Sequence, residues 1–174
     1  MIIHKGSDRV VLAFPNQGFV IKVPLIKIFR AVHYFCGDFF ARKWSSLRKR
    51  FIHPIRMQYS IPGLVFRGIF ANWNEFLLYQ QTKNPFLQPT YFSFFGLFNI
   101  QKHNEPYKDG ELLRKEIYRI IGWRGFKLDM HHLVNPRNFT LEKGRLRILD
   151  YGSKSTRTLI EEFGKRIHEE FNVG

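Results

Sequence analysis

Asn138 and Asp150 are the two polar residues whose types and spacing offer the most chemistry. Asp150 closes the apolar run Ile148-Leu149, Asn138 ends a polar loop that starts at His131, and twelve residues separate the two. The stretch between them, FTLEKGRLRI, reads as two short strands around a tight Lys143-Gly144 turn. A hairpin returns the chain on itself, so both side chains come out at one open end. An amide oxygen beside a carboxylate suits Mg²⁺, which takes few protein ligands and keeps the rest of its shell for water and phosphate. Asp150 also reads simply as the first residue of an Asp-Tyr-Gly turn that needs no metal. Lys22, inside the apolar strand GFVIKV, reads on its own as an edge-strand lysine with its amine in solvent.

Together these segments resemble the protein kinases. HHLVNPRNFTLEKGRLRILDYG is similar to the catalytic loop and metal-binding strand of that family, H-R-D-L-x-x-x-N followed by D-F-G, through His131, Pro136, Asn138, the hairpin length, Asp150 and Gly152. VIKV resembles the strand whose lysine holds the α- and β-phosphates of ATP, which implies that role for Lys22. Besides Asp38, Glu75 is the only carboxylate between Lys22 and Asn104, and the resemblance makes it the helix glutamate that pairs with the lysine. It reads also as a plain surface residue, about fifty positions from its partner. Three departures matter. Leu133 stands where the family keeps its catalytic aspartate, no G-x-G-x-x-G loop precedes Lys22, and about one helix follows Asp150. The expectation is a phosphotransferase without its usual base and without a docking lobe for protein substrates. The short C-terminal end and DYGSKSTRTLIEEF are most similar to small bacterial proteins of the PhoP-regulatory-network group, placed near lipopolysaccharide-kinase-like proteins.

The elements that must position these residues follow from periodicity. VVLAF and GFVIKV, separated by Pro15-Asn16-Gln17-Gly18, predict a hairpin over Arg9 to Val23. Asn72 to Gln81 predicts a short amphipathic helix, and Pro89 to Ile100, rich in aromatic residues, predicts buried strands. DGELLRKEIYRIIGW predicts a helix capped by Asp109, with Leu112, Leu113, Ile117, Ile120 and Ile121 on one face. A last helix is expected from a capping box at Thr158 to Glu161, with Ile160, Phe163, Ile167 and Phe171 inward. The expected fold is α+β: one truncated kinase-like domain over 1–174, an antiparallel N-terminal sheet in 1–105 with a basic insert at 24–68, and a reduced helical part in 106–174. His131 and His132 point apart in an extended loop and make no zinc geometry without a cysteine or third histidine. His131 is expected to pack beneath the Asp150 loop, and Asp129 to lie outside the site.

Charge sets the partners. A formal net charge of +14 produces a positive field that attracts polyanions, whether nucleotide phosphate, anionic lipid or nucleic acid. The insert carries Lys27, Arg30, Arg42, Lys43, Arg48, Lys49, Arg50, Arg56 and Arg67 against Asp38, with Phe39, Phe40, Trp44 and Phe51 interleaved. That mixture reads as a solvated helical face, as a contact for anionic lipid or glycolipid, or as stacking positions for nucleic-acid bases. Cys36 is the only cysteine, which excludes an intramolecular disulfide and points to a reducing compartment. With no leader-like N-terminus, the expectation is a cytoplasmic protein or one peripheral at the inner membrane surface. Three functions are open: a pseudokinase that binds ATP and presents a basic face to a partner, an ATP- and Mg²⁺-dependent phosphotransferase acting on a small or glycolipid acceptor, and a basic nucleic-acid-binding protein.

Overall fold

The computed structural model describes residues 1–52 and 60–171, so Arg56 and its neighbours in the basic insert lie outside the described residues. The chain is α+β. Strands β1 (Ile2–Lys5), β2 (Arg9–Phe14), β3 (Phe19–Pro24), β4 (Thr90–Ser93) and β5 (Asn99–Lys102) form an antiparallel sheet in the order β1-β2-β3-β5-β4. The hairpin expected at Pro15 to Gly18 is present: the three residues before Gly18 make one 3-10 turn, and Gly18 at φ 74° closes it. The register pairs Val11 with Lys22 and Lys22 with Asn99. Because side chains alternate along a strand, Arg9, Ala13, Val20, Lys22, Asn99 and Gln101 all come to one buried face.

That face packs on α3 (Ile61–Thr82). The helix runs well beyond the predicted Asn72 to Gln81. Pro and Gly are poor residues inside a helix, yet Ser60 caps the N-terminus by accepting from Gly63 N–H at 3.0 Å, and Pro62 sits in the first turn where a missing donor costs nothing. Gly68 is required by packing, since a Cβ there would lie 2.4 Å from the Asp8 carbonyl. Between β3 and α3 the insert folds into α1 (Ile28–Phe40) and α2 (Trp44–Ile52), the partly helical content expected for it. Asp8 holds the start of the insert through Lys27 Nζ at 2.5 Å and reaches α3 through Arg67 at 3.4 Å.

The run Pro89 to Ile100 departs from expectation. Only its two ends are strands, and Tyr91, Phe92, Phe94, Phe95 and Leu97 are exposed. The connecting turn takes Phe95 and Gly96 through positive φ (47° and 77°), and the inner face of the sheet here is polar: Thr90, Ser93, Asn99 and Gln101. Hydrogen bonds replace apolar contact between sheet and helix. Asn72 Nδ2 donates to the Lys22 and Gly96 carbonyls, and Asn99 Nδ2 donates to the Asn72 carbonyl at 2.7 Å. Each pairing satisfies a buried amide donor, which left unpaired would cost about 1–3 kcal/mol.

The apolar core is built mainly from the second half of the chain, joined by Leu78 and Phe86. Helix α4 (Gly110–Leu128), capped by Asp109, buries Leu113, Ile117 and Ile120 as the periodicity requires, while Leu112 sits half-buried at the margin. The helix kinks at Gly122, where φ is 63°. His131 and His132 fall in a short helix α5 (Met130–Leu133) where an extended loop was expected. Strands β6 (Phe139–Glu142) and β7 (Arg145–Ile148) form the predicted hairpin, with Lys143 and Gly144 both at positive φ, as a two-residue turn of matching twist demands. The last helix begins earlier than the Thr158 capping box. Ser153 Oγ accepts from Thr156 N–H at 3.1 Å, so Thr158 lies inside α6 (Lys154–Leu159). A π-helical turn (Ile160–Gly164) then leads into α7 (Lys165–Glu170). Ile160, Ile167 and Phe171 face the core with Phe86, Phe139 and Ile148, and Phe163 packs at its edge.

Candidate functional site

Four charges meet where sheet, α3 and the end of the β6-β7 hairpin converge. Lys22 projects from β3 and places Nζ 2.9 Å from Glu75 Oε2 and 2.7 Å from the Leu149 carbonyl. Glu75 is fully buried in the middle of α3, not the surface residue its sequence distance from Lys22 allowed. Its other oxygen accepts from Arg9 Nη1 at 2.7 Å and from the Tyr151 backbone N–H at 3.3 Å. Arg9 also reaches Asn72 Oδ1 at 3.2 Å and Asp150 Oδ1 at 2.5 Å. Two cations therefore face two carboxylates, and each carboxylate touches Arg9.

Their protonation follows from this contact set. Burial works against the charge of Lys22 and outweighs the favourable pull of Glu75, so its amine loses its proton more readily than an ordinary lysine. Burial also opposes the charge on Arg9, but Asp150 and Glu75 more than offset it and the guanidinium stays protonated. For Asp150, burial resists ionisation while Arg9, Lys22 and His132 favour it more strongly, holding the carboxyl well below the usual carboxylate range. Enclosed among charges on one side, Asp150 still leaves 40% of its side chain open to solvent.

Asn138 and Asp150 emerge at the same end of the hairpin. Phe139 pairs with Ile148, and Leu149 N–H donates to the Asn138 carbonyl at 2.7 Å, which carries the chain ends outward together. The Asn138 side chain donates Nδ2 to the His132 carbonyl at 3.1 Å, which leaves its amide oxygen as the ligand it could offer a metal. For Asp150, Arg9 bonds Oδ1, and a carboxylate has a second oxygen that a divalent cation could take. The Asn138 amide oxygen and that carboxylate oxygen are donors of the kind Mg²⁺ accepts. Among the described residues no group of three or more His, Cys, Asp or Glu side chains is arranged to hold a metal.

His131 does not pack beneath the Asp150 loop as expected. His131 is exposed, and His132 turns inward, its Nδ1 2.8 Å from Asp129 Oδ1. Asp129 is buried, bonded by Ser155 Oγ at 3.2 Å and by Thr156 Oγ1, so it ties the start of α5 to α6. The bond to Asp129 raises the His132 pKa against burial. Burial would raise the Asp129 pKa, but His132 and Thr156 lower it further than that. Leu133 is wholly buried in the apolar core. The Tyr and Gly of Asp-Tyr-Gly have packing roles. Tyr151 is buried and donates its hydroxyl to the Gln88 carbonyl at 2.7 Å, with Thr90 Oγ1 also at 2.7 Å. Gly152 lies so close to α3 that a Cβ would meet the Ala71 carbonyl at 2.4 Å.

Arg9 and Asn72 escaped the sequence reading, although a signal for each was present. Counting by twos outward from the Pro15 to Gly18 turn puts Arg9 on the face of Lys22, and Asn72 precedes Glu75 by three residues, one helical turn. An open depression of about 520 Å³ between Glu105, Tyr107, Asp109, Leu112 and Leu141 shares no residue with the charge network. No family model, curated protein or solved structure matches the chain.

Proposed function

We propose that the protein is a nucleotide-binding module with a reduced protein-kinase-like fold, a pseudokinase whose basic face engages a partner in the cytoplasm. The observation that carries this reading is the buried Lys22–Glu75 pair at 2.9 Å, joined through Arg9 to Asp150 at the mouth of the hairpin. In this reading a triphosphate meets Lys22, with Glu75 fixing the direction of the amine. Asp150 and the Asn138 amide oxygen would hold Mg²⁺, which would supply neutralisation of phosphate charge, while Arg9 keeps its bond to Asp150 Oδ1. Leu133 places a buried alkyl group where a base would stand, so no residue there takes the proton of an acceptor hydroxyl.

Thermal-shift titration tests this. ATP should raise the melting temperature, since a ligand at 100 times its dissociation constant stabilises by about 2.7 kcal/mol. Asp150→Ala should remove whatever Mg²⁺ adds to that shift, and Lys22→Met should weaken ATP binding with or without the metal. Absence of any shift at millimolar ATP would overturn the reading. Clear ATP turnover in wild type, lost in Asp150→Ala, would move the assignment to a phosphotransferase acting on a small or glycolipid acceptor.

A further inference from the structure

Among the described residues the two most exposed large apolar side chains, Phe29 and Phe40, belong to the insert, and its exposed apolar residues are arranged in order. Along α1, Ile28, Phe29, Val32, Phe39 and Phe40 fall within a single stripe at 100° per residue, and all are exposed, Phe29 by 93% and Phe40 by 80%. Ala31 lies to one side of the stripe and is buried, so the helix rests on the body by its small residue and turns its large ones outward. α2 continues the surface with Trp44 and Phe51. Phe39 contacts Trp44 at 5.4 Å between ring centroids and Phe35 contacts Phe51 at 6.1 Å, so the two helices share one aromatic ridge. Ile26, just before α1, is exposed beside it.

We propose that α1 and α2 together are an interfacial anchor that lays this ridge into an anionic lipid bilayer. Charge complementarity selects the occupant. From Pro24 to Ile52 the only acidic residue is Asp38, against seven lysines and arginines, of which Arg42, Lys43 and Arg48 are exposed around the ridge. Cations flanking a large apolar stripe match acyl chains beneath anionic headgroups. Nucleic acid would use the cations and the rings, but Ile26, Ile28 and Val32 offer no π-face on which a base can stack. The anchor lies in the plane of the surface: α1 has 13 residues, about 20 Å of helix, and among the described residues no helix is long and apolar enough to cross a membrane. Docking by α1 and α2 is independent of what Lys22 and Asp150 bind.

The test is co-sedimentation of the full chain with vesicles of phosphatidylcholine alone or mixed in equal parts with phosphatidylglycerol. Binding is expected only to the mixed vesicles, and salt should weaken it by screening. Phe29→Ser with Phe40→Ser should lower the affinity roughly tenfold or more through lost apolar insertion. Arg42→Ser, Lys43→Ser and Arg48→Ser together should lower it on the order of a hundredfold. Brominated acyl chains should quench fluorescence in wild type and do so much less in Trp44→Phe. These side chains are exposed, so circular dichroism and melting temperature should stay at wild-type values. Equal binding to neutral vesicles, or undiminished binding by both sets of variants, would overturn the proposal. So would salt-sensitive binding to single-stranded RNA without lipid binding, or self-association that the two serine substitutions abolish.

Discussion

Replacing Glu75 by alanine probes the charge network at its centre. Glu75 is fully buried and accepts from Lys22 at 2.9 Å, Arg9 at 2.7 Å and Tyr151 N–H at 3.3 Å. Without it two cations remain against one carboxylate, and Lys22 keeps only the Leu149 carbonyl among its hydrogen bonds. Breaking a buried ion pair by removing one partner costs about 3–5 kcal/mol, because the other charge is left uncompensated. For a domain of this size each kcal/mol lowers the melting temperature by about 2–4 °C, so the expected drop is roughly 6–20 °C. Lys22 can relieve part of this by releasing its proton, which burial already favours. The sign follows from linkage. With its folded pKa below its unfolded value, Lys22 binds fewer protons in the native state, and stability rises with pH between the two values. The deficit of Glu75→Ala should therefore shrink as pH rises towards the unfolded lysine value of about 10. Urea denaturation followed by circular dichroism reads both effects, with Glu75→Gln as the shape-preserving comparison and Lys22→Met closing a double-mutant cycle with an expected coupling of about 0.5–3 kcal/mol. A Glu75→Ala protein within about 1 kcal/mol of wild type and indifferent to pH would refute the account of how sheet and helix are held together.

Three further outcomes follow from other positions in the fold. The bond to Asp129 raises the folded pKa of His132, so the stability it supplies is complete below about pH 6.5 and is lost as pH rises through the folded value. Subtracting the stability profile of His132→Gln from that of wild type should show a declining difference above that pH, and a flat difference would refute the pairing. Gly152→Ala should destabilise by about 1–3 kcal/mol as its methyl forces the hairpin end off the Ala71 carbonyl. Gly37→Ala, where nothing lies within 4 Å, should instead stabilise α1. A Gly152→Ala midpoint equal to wild type would show that this close approach relaxes freely.

Local pattern was enough for much of the fold. The Pro15 to Gly18 and Lys143-Gly144 turns, the Asp109 cap and the apolar face of α4 are legible because each depends on residues within one or two turns of chain. Elements whose signal is local but whose stabilisation is not were misread. α3 was read only over Asn72 to Gln81, and Gly68 makes sense only against Asp8 and Pro24 in the folded molecule. The aromatic run after Pro89 looked like buried strand, yet the sheet buries polar residues there because Asn72 and its neighbours supply hydrogen-bond partners from α3.

The candidate site divides in the same way. Sequence by itself determined that Asn138 and Asp150 share the open end of one hairpin, since a two-residue turn and a period of two leave little choice. It also determined the cationic, aromatic character of the insert, which is a matter of composition. Tertiary structure alone decided that Glu75 reaches Lys22 across 53 residues and that Arg9 reaches Asp150 across 141. It also decided that His132 rather than His131 turns inward. Ion pairs of that span carry no periodicity in the chain. They exist because packing α3 against the sheet removes Lys22, Arg9 and Glu75 from water, and buried charges of opposite sign must then find one another.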